Sequence, residues 1–153
     1  MPLIRNATVG DLNTLCAIET QAFATDRLSR RSFRRLLASP SAAVIVAEQG
    51  DRVAGYAVVL FRAAADVARL YSIAVARTDL RTGAGRLLLA AAEQAAQARG
   101  CTRMRLEVHE ANERAARLYE AAGYRAFGTL KNYYADGAAA VRYERSLANP
   151  VRR

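Results

Sequence analysis

Apolar positions recur along this chain with two periods, and the switches between them mark out its elements. "LIRNA" at the start predicts a short strand. From about Gly10 to Ala22, Leu12, Leu15 and Ile18 repeat at helical spacing, with Asp11 suited to the opening turn. A second helix is expected behind Ser29 as its cap, with Phe33, Leu36 and Leu37 facing inward and Arg30, Arg31, Arg34 and Arg35 outward. It must stop at or before Pro40. "AAVIVAEQGDRVAGYAVVLF" is two apolar runs around Gln49–Arg52, the pattern of a hairpin. "VARLYSIAV" is a further strand-like run that leads directly into a glycine turn, and the helix after the turn should last until about Gly100.

"TRMRLEV" then alternates, with Met104, Leu106 and Val108 on one side and Arg103, Arg105 and Glu107 on the other. Asn112 is placed to cap a helix through about Ala122, closed by Gly123. "YRAFGTLKNYYADGAAAVRYERSL" reads as two strands joined around Asp136–Gly137, an Asp-Gly hairpin signal. This order predicts a mixed α/β layered domain and not a regular doubly wound one. With no linker or repeat, residues 1–147 are expected to form a single domain, and 148–153 a short basic tail.

Composition changes this picture in four places. The 153 residues are 52% hydrophobic and 24% charged, which suits a globular domain able to bury a core. No run approaches the roughly 18 apolar residues needed to cross a bilayer, and the first residues lack a secretory pattern, so a cytoplasmic protein with no membrane partner is expected. Cys16 and Cys101 read as reduced, core-facing thiols, and His109, the single histidine, as a surface residue; no metal site is expected. The net charge of +9 is almost all arginine, since Lys131 is the only lysine. Such a balance suits nucleic acid, anionic cofactors or acidic partners. The densest cluster, Arg27 to Arg35, reads first as a solvated helix face and second as a site for an anionic partner.

Two glycines in "RTGAGRLLL" stand at the mouth of a helix, where unpaired N–H groups and a partial positive charge favour an anion. Together with "LYSIAV", "LEVHEANERAARLYEAAGY" and "NYYADG", this stretch resembles the GNAT superfamily of acyl-CoA-dependent N-acetyltransferases. Its ribosomal-protein-alanine N-acetyltransferase (RimI-like) branch matches best, from roughly Arg69 to Leu147. The resemblance implies a mixed, mostly antiparallel sheet with splayed central strands, flanked by about four helices. It also implies acetyl-CoA as cosubstrate, its pyrophosphate resting on the turn formed by Arg81, Thr82, Gly83, Ala84, Gly85 and Arg86. Ile73, Ala74 and Val75 would pair with the pantetheine arm, and the Val75 N–H would face the thioester oxygen. Asn112 matches a coenzyme A-contacting asparagine and serves equally well as a plain helix cap. Leu80 departs from the pattern, which has Gln or Arg there, and implies weaker cofactor contacts.

By the same resemblance Glu107 is the general base, with Glu110 in reserve, and Tyr119 is the general acid for the departing thiolate. The residues alone leave Glu107 open as a surface partner for Arg103 or Arg105, and Tyr119 as packing; Tyr124 reads as core. Tyr133 and Tyr134 match residues lining the acceptor's path; adjacent on a strand, only one of them would face the acceptor. Beyond them "GAAAVRYE" replaces acidic residues of the branch, which opens the question of the acceptor.

The implied reaction is direct acetyl transfer in a ternary complex to a primary amine, foremost a protein N-terminus. That amine titrates near 7.7–8.0 against about 10.4 for lysine, so a carboxylate base needs less help by about 3.4 kcal/mol. The acceptor would be a protein or peptide, a ribosomal one included. The alternatives are a lysine or small-amine acetyltransferase, and a non-catalytic basic module binding RNA or the ribosome. Direct nucleic-acid binding is less favoured, because an aromatic-rich strand motif of RNA readers is missing.

Overall fold

The computed structural model describes residues 2–147, so the tail expected at 148–153 lies outside the described residues. The chain runs β1 (Leu3–Asn6), α1 (Leu12–Ala22), α2 (Arg30–Ala38), β2 (Ala42–Gln49), β3 (Arg52–Phe61), β4 (Val67–Val75), α3 (Ala84–Ala98), β5 (Arg103–His109), α4 (Glu113–Ala121), β6 (Arg125–Leu130) and β7 (Ala140–Ser146). Short 3-10 turns at Val9–Asp11 and Arg77–Asp79 precede α1 and follow β4. The strands form one sheet in the order β1-β2-β3-β4-β5-β7-β6. Every neighbouring pair is antiparallel except β4 with β5.

Strand alternation sorts the apolar residues onto two faces. On one face Ala68, Leu70, Met104, Leu106 and Val108 pack against Leu88, Leu89, Ala92 and Ala96 of α3 and against Tyr119 of α4. On the other, Val44, Val46, Tyr56 and Val58 meet Leu15 and Ile18 of α1 and Phe33 of α2. The helix ends follow the expected chemistry. Ser29 accepts a hydrogen bond from the Ser32 N–H, Asn112 accepts one from the Ala115 N–H, and Gly100 and Gly123 take the left-handed conformation just past α3 and α4. Gly55 carries a packing role that periodicity does not show: a Cβ there would lie 2.7 Å from the Ala74 carbonyl oxygen and 3.0 Å from Leu88. Its bareness lets β3, β4 and α3 come together.

Two expectations need correction. β4 does not run directly into the glycine turn; the 3-10 turn Arg77–Asp79 intervenes, with Asp79 buried beneath it. β6 and β7 pair antiparallel from Leu130 opposite Ala140, so the intended hairpin is instead the loop 131–139. Asp136–Gly137 forms only a turn inside that loop, where the Gly137 N–H bonds back to the Tyr134 carbonyl. Tyr133 and Tyr134 are therefore loop residues, and strand alternation does not set their directions.

Candidate active site

β4 and β5 pair only over Val67–Arg69 and Arg103–Arg105. Beyond that β4 continues to Val75 and β5 to His109 with no ladder between them, leaving a split in the middle of the sheet. In an antiparallel pair, successive residues alternate between bonding the partner strand and pointing away from it. The Ala76 N–H bonds the Ala54 carbonyl at 2.7 Å, so Val75, opposite Gly55, directs its N–H away from β3 and into the split. Ile73 does the same, and Ala74 between them bonds β3.

The glycine turn closes one end of this split. Gly83 caps α3 in the left-handed conformation at φ 86°, and Ala84 is the first helical residue. The first helical bond runs from the Leu87 N–H to the Gly83 carbonyl at 3.2 Å, so the N–H groups of Ala84, Gly85 and Arg86 stand ahead of the helix ladder, that of Ala84 donating at 3.4 Å to Thr82 Oγ1. A Cβ at Gly85 would be 3.8 Å from Val75 and 3.9 Å from Leu118, which brings the turn, the end of β4 and α4 to one place. Arg81, Thr82 and Arg86 are exposed around it. Leu80 is 41% exposed, an apolar side chain where a polar one would meet an anion. Beneath the turn, Asp79 is 1% exposed and accepts from Arg52 through both carboxylate oxygens, one at 2.8 Å. Arg52 holds the Asp79 carboxyl below the usual carboxylate range. Thr82 ties the turn down by donating to the Asp79 carbonyl at 2.8 Å.

Glu107 projects from β5 onto the face opposite α3 and α4, and its side chain is 9% exposed. One carboxylate oxygen receives Arg69 Nη2 at 2.7 Å and Nε at 2.9 Å. The other lies 3.6 Å from Nε of Arg142, its cross-strand neighbour on β7. Arg103 and Arg105, the partners open to Glu107 on sequence grounds, pair instead with Glu144 at 2.8 and 2.7 Å. Glu110 accepts from the Ala139 N–H at 2.7 Å and is a strut of the 131–139 loop.

Tyr119 lies on the opposite side, buried on α4 with its ring edge-on to Tyr124 at 5.7 Å. Among the described residues its hydroxyl makes no hydrogen bond, whereas Tyr124 donates to Glu93 at 2.8 Å as a core residue would. Burial raises the Tyr119 pKa, with a smaller push from Tyr134. Asn112 is exposed at the start of α4.

The loops 23–29 and 131–139 meet beside the split. The Ala135 N–H donates to the Asp26 carboxylate at 3.1 Å, and each loop holds a residue in the left-handed region, Asp26 and Asn132, of the types that best tolerate it. Tyr133 and Tyr134 pack edge to face at 4.9 Å. Tyr133 accepts from Arg69 at 2.8 Å, while Tyr134 stacks on His109, itself 2.8 Å from Asp136. Both tyrosines thus join one cluster, and burial pushes the Tyr134 pKa up to about 12. Behind loop 23–29, Glu19 is 2% exposed, receives the Leu28 N–H at 2.7 Å and bonds the Tyr56 hydroxyl.

Sequence reasoning missed Arg52, Asp79, Arg69, Arg142, Glu19 and Asp26. Only Arg142 carried a signal, its place across from Glu107 once β5 and β7 are paired.

Comparison with known proteins places these features in one family. The pattern of the acetyltransferase (GNAT) family matches residues 11–124. The chain is 36% identical over 84 residues to the [ribosomal protein bS18]-alanine N-acetyltransferase of Salmonella typhimurium, and spans about half (55%) of that relative and of itself in doing so. It superposes on the ribosomal-protein-S18-alanine N-acetyltransferase of Escherichia coli with a TM-score of 0.87 at 27% identity, covering 100% of this chain and 98% of that one. An acetyltransferase of Salmonella typhimurium solved with acetyl-CoA shares the fold, at TM-score 0.79 and 20% identity over 100% of this chain and 98% of its own. No described helix is long and apolar enough to cross a membrane. A family pattern covering most of the chain, on a sheet split between β4 and β5, makes this protein a member of the acetyltransferase (GNAT) family.

Proposed function

We propose that this acetyltransferase is RimI-like: it transfers the acetyl group of acetyl-CoA directly to the N-terminal amine of a protein in a ternary complex. The observation that carries the reading is the split between β4 and β5, with the Val75 N–H turned into it and the Gly83 turn at its end. That arrangement fits acetyl-CoA. The pyrophosphate meets the N–H groups of Ala84, Gly85 and Arg86, with Arg81 and Arg86 adding charge and Thr82 supporting the turn. The pantetheine arm lies along Ile73–Val75, an unpaired strand edge. The Val75 N–H then faces the thioester oxygen as it gains charge.

Glu107 takes the proton of the acceptor amine, directly or through a water. Its oxygen toward Arg142 is the freer of the two and is the one we assign to this step. Tyr119 donates to the departing sulfur. Reference values of about 10 for a phenol and about 8.5 for a thiol make complete transfer uphill, so its hydroxyl acts chiefly by stabilising the developing thiolate. Tyr133 and Tyr134 wall the acceptor's path, and Asn112 lies on the cofactor side. The pairing of Glu107 with a terminal amine favours a protein N-terminus over lysine on proton affinity.

The test is an acetylation assay on peptides with free N-termini against N-blocked peptides with an internal lysine, alongside calorimetry with acetyl-CoA. Acetylation of free N-termini is expected. Turnover confined to the lysine peptides would overturn the acceptor assignment, and absence of acetyl-CoA binding would overturn the whole reading.

A further inference from the structure

α1 and α2 cover one face of the sheet over β2, β3 and β4; beyond them the same face of β5, β7 and β6 carries no described helix, and the loop 131–139 reaches it only at the Glu107 end. It carries Arg69, Arg103, Arg105, Arg142 and, across from Glu144 on β6, Arg125, against Glu107 and Glu144. Phe127, 44% exposed, lies under the guanidinium groups of Arg105 at 5.2 Å and Arg142 at 4.9 Å; Arg69 lies 5.3 Å from the ring of Tyr71, which is 43% exposed. The Arg142 Nε has no hydrogen-bond partner among the described residues, because Glu107 is 3.6 Å away. One carboxylate on this surface thus stands among guanidinium groups it does not neutralise.

We infer that this bare face is the specificity surface for the acceptor, and that it selects N-terminal segments carrying acidic residues at their second to fourth positions. The inference rests on the proposed N-terminal acceptor. An amine docked at Glu107 starts an extended chain whose alternate residues advance about 7 Å, the spacing from Glu107 to Arg105 along β5. An acid so placed reaches Arg105 or Arg142, and the apolar stem of the segment lies on Phe127. A basic segment would meet like charge at Arg105 and Arg142, and the one acid in the loop between Tyr134 and Val141, Asp136, is paired with His109 at 2.8 Å. A short acidic peptide also suits the charge better than RNA does. Five arginines, Arg125 included, face two glutamates on a compact patch, and four of the five already pair with those glutamates, whereas a polyanion needs a longer run of free cations.

The experiment uses the whole chain and peptides that share a free N-terminal alanine and differ only at positions two to four, being acidic, amide or arginine there. A further set has a blocked N-terminus and an internal lysine. Half-exposed charge pairs are individually weak, and two together are expected to favour the acidic peptides over the amide ones by about tenfold in kcat/KM, chiefly through KM. The preference should shrink as salt is raised. Arg105→Gln should bring the acid-to-amide ratio toward one, with the thermal shift by acetyl-CoA showing that the variant is folded. The panel on the parent protein stands whether or not that variant folds. Free N-termini acetylated without charge preference, or with preference for arginine, would overturn this inference and leave the proposed function standing. Turnover of the blocked lysine set alone would overturn the proposed function, and the inference with it. Binding of a short oligouridylate at about 0.15 M salt, lost in Phe127→Ala, would assign the face to RNA and also end the proposal.

Discussion

The two sides of the split are built from different materials. The donor side is made of backbone: the edge of β4, the left-handed Gly83 and the mouth of α3. The acceptor side is made of side chains brought together from far apart, Arg69 to Glu107 and Tyr133, Glu107 to Arg142, and Asp26 to Ala135. A backbone site needs particular residues at fixed local offsets, because only some residues permit the conformation or the close approach. A side-chain site needs only that distant positions meet, and many residue types serve. On the proposed reading the donor side is the part a family shares, and the acceptor side the part where a chain is free to set its own selectivity.

The largest effect is expected where the two sides meet. Glu107→Gln should lower kcat by about a hundredfold or more, typical of a lost general base, with little change in acetyl-CoA affinity. Part of the loss should return at high pH, where more acceptor is already neutral. A rate near the parent's would move the role to water or to Glu110, one of whose oxygens already accepts from the Ala139 N–H. Tyr119→Phe should lower kcat by about a hundredfold, the order expected for losing one donor to the developing thiolate charge. Its hydroxyl bonds no described residue, so melting should hardly change; single-turnover rate and melting temperature on one preparation decide between chemistry and packing. An unchanged rate in the folded variant would leave Tyr119 as core.

Gly83→Val tests the donor side alone. No atom lies within 4 Å of a Cβ built at Gly83, so the penalty comes from φ 86°, which a β-branched residue adopts only with strain. The turn should shift and the dissociation constant for acetyl-CoA rise by about tenfold, read by calorimetry. The acid-to-amide preference among acceptor peptides should stay as it is. If that preference changed too, the two sides would not be separable as described.

The fold was largely legible because each element carried its own period and its own stop. The Met104, Leu106 and Val108 alternation, the Ser29 and Asn112 caps and the glycines at 100 and 123 all stand where local rules put them. The split itself is not a local property, since nothing in "VARLYSIAV" or "TRMRLEV" says where their pairing ends; the family resemblance supplied it. The Asp-Gly signal misled because it marks a tight turn without saying how much chain surrounds it, and here the turn belongs to a longer loop anchored by Glu110, Asp26 and Asp136. Glu107 was legible as a polar strand position. Its partner Arg69, on β4, was not, and Arg142 became legible only once β5 and β7 are paired.

The smallest expected effects compare the two buried carboxylates that support the two sides, and they have opposite signs with pH. Asp79, behind the Gly83 turn, has its pKa lowered chiefly by hydrogen bonds from Arg52. In the window between its folded value and the unfolded value near 3.9, the unfolded chain binds more protons. Asp79 therefore adds stability that is full above that unfolded value and lost as pH falls through the folded one. Glu19, behind loop 23–29, has its pKa raised chiefly by burial. There the folded chain binds more protons, so its contribution is best below the unfolded value near 4.3 and declines as pH rises through the folded value. Asp79→Asn should accordingly melt below the parent at neutral pH, with the gap closing in acid. Glu19→Gln keeps an oxygen to accept from Leu28 and carries no charge, so it should gain on the parent as pH rises and then level off. Shifts of a few degrees are expected, since about 1 kcal/mol moves the melting temperature by about 2–4 °C in a domain of this size. Melting curves of both variants and the parent across pH 3 to 8 decide the matter. Two gaps that changed in the same direction would mean that one of these carboxylates does not occupy the environment assigned to it.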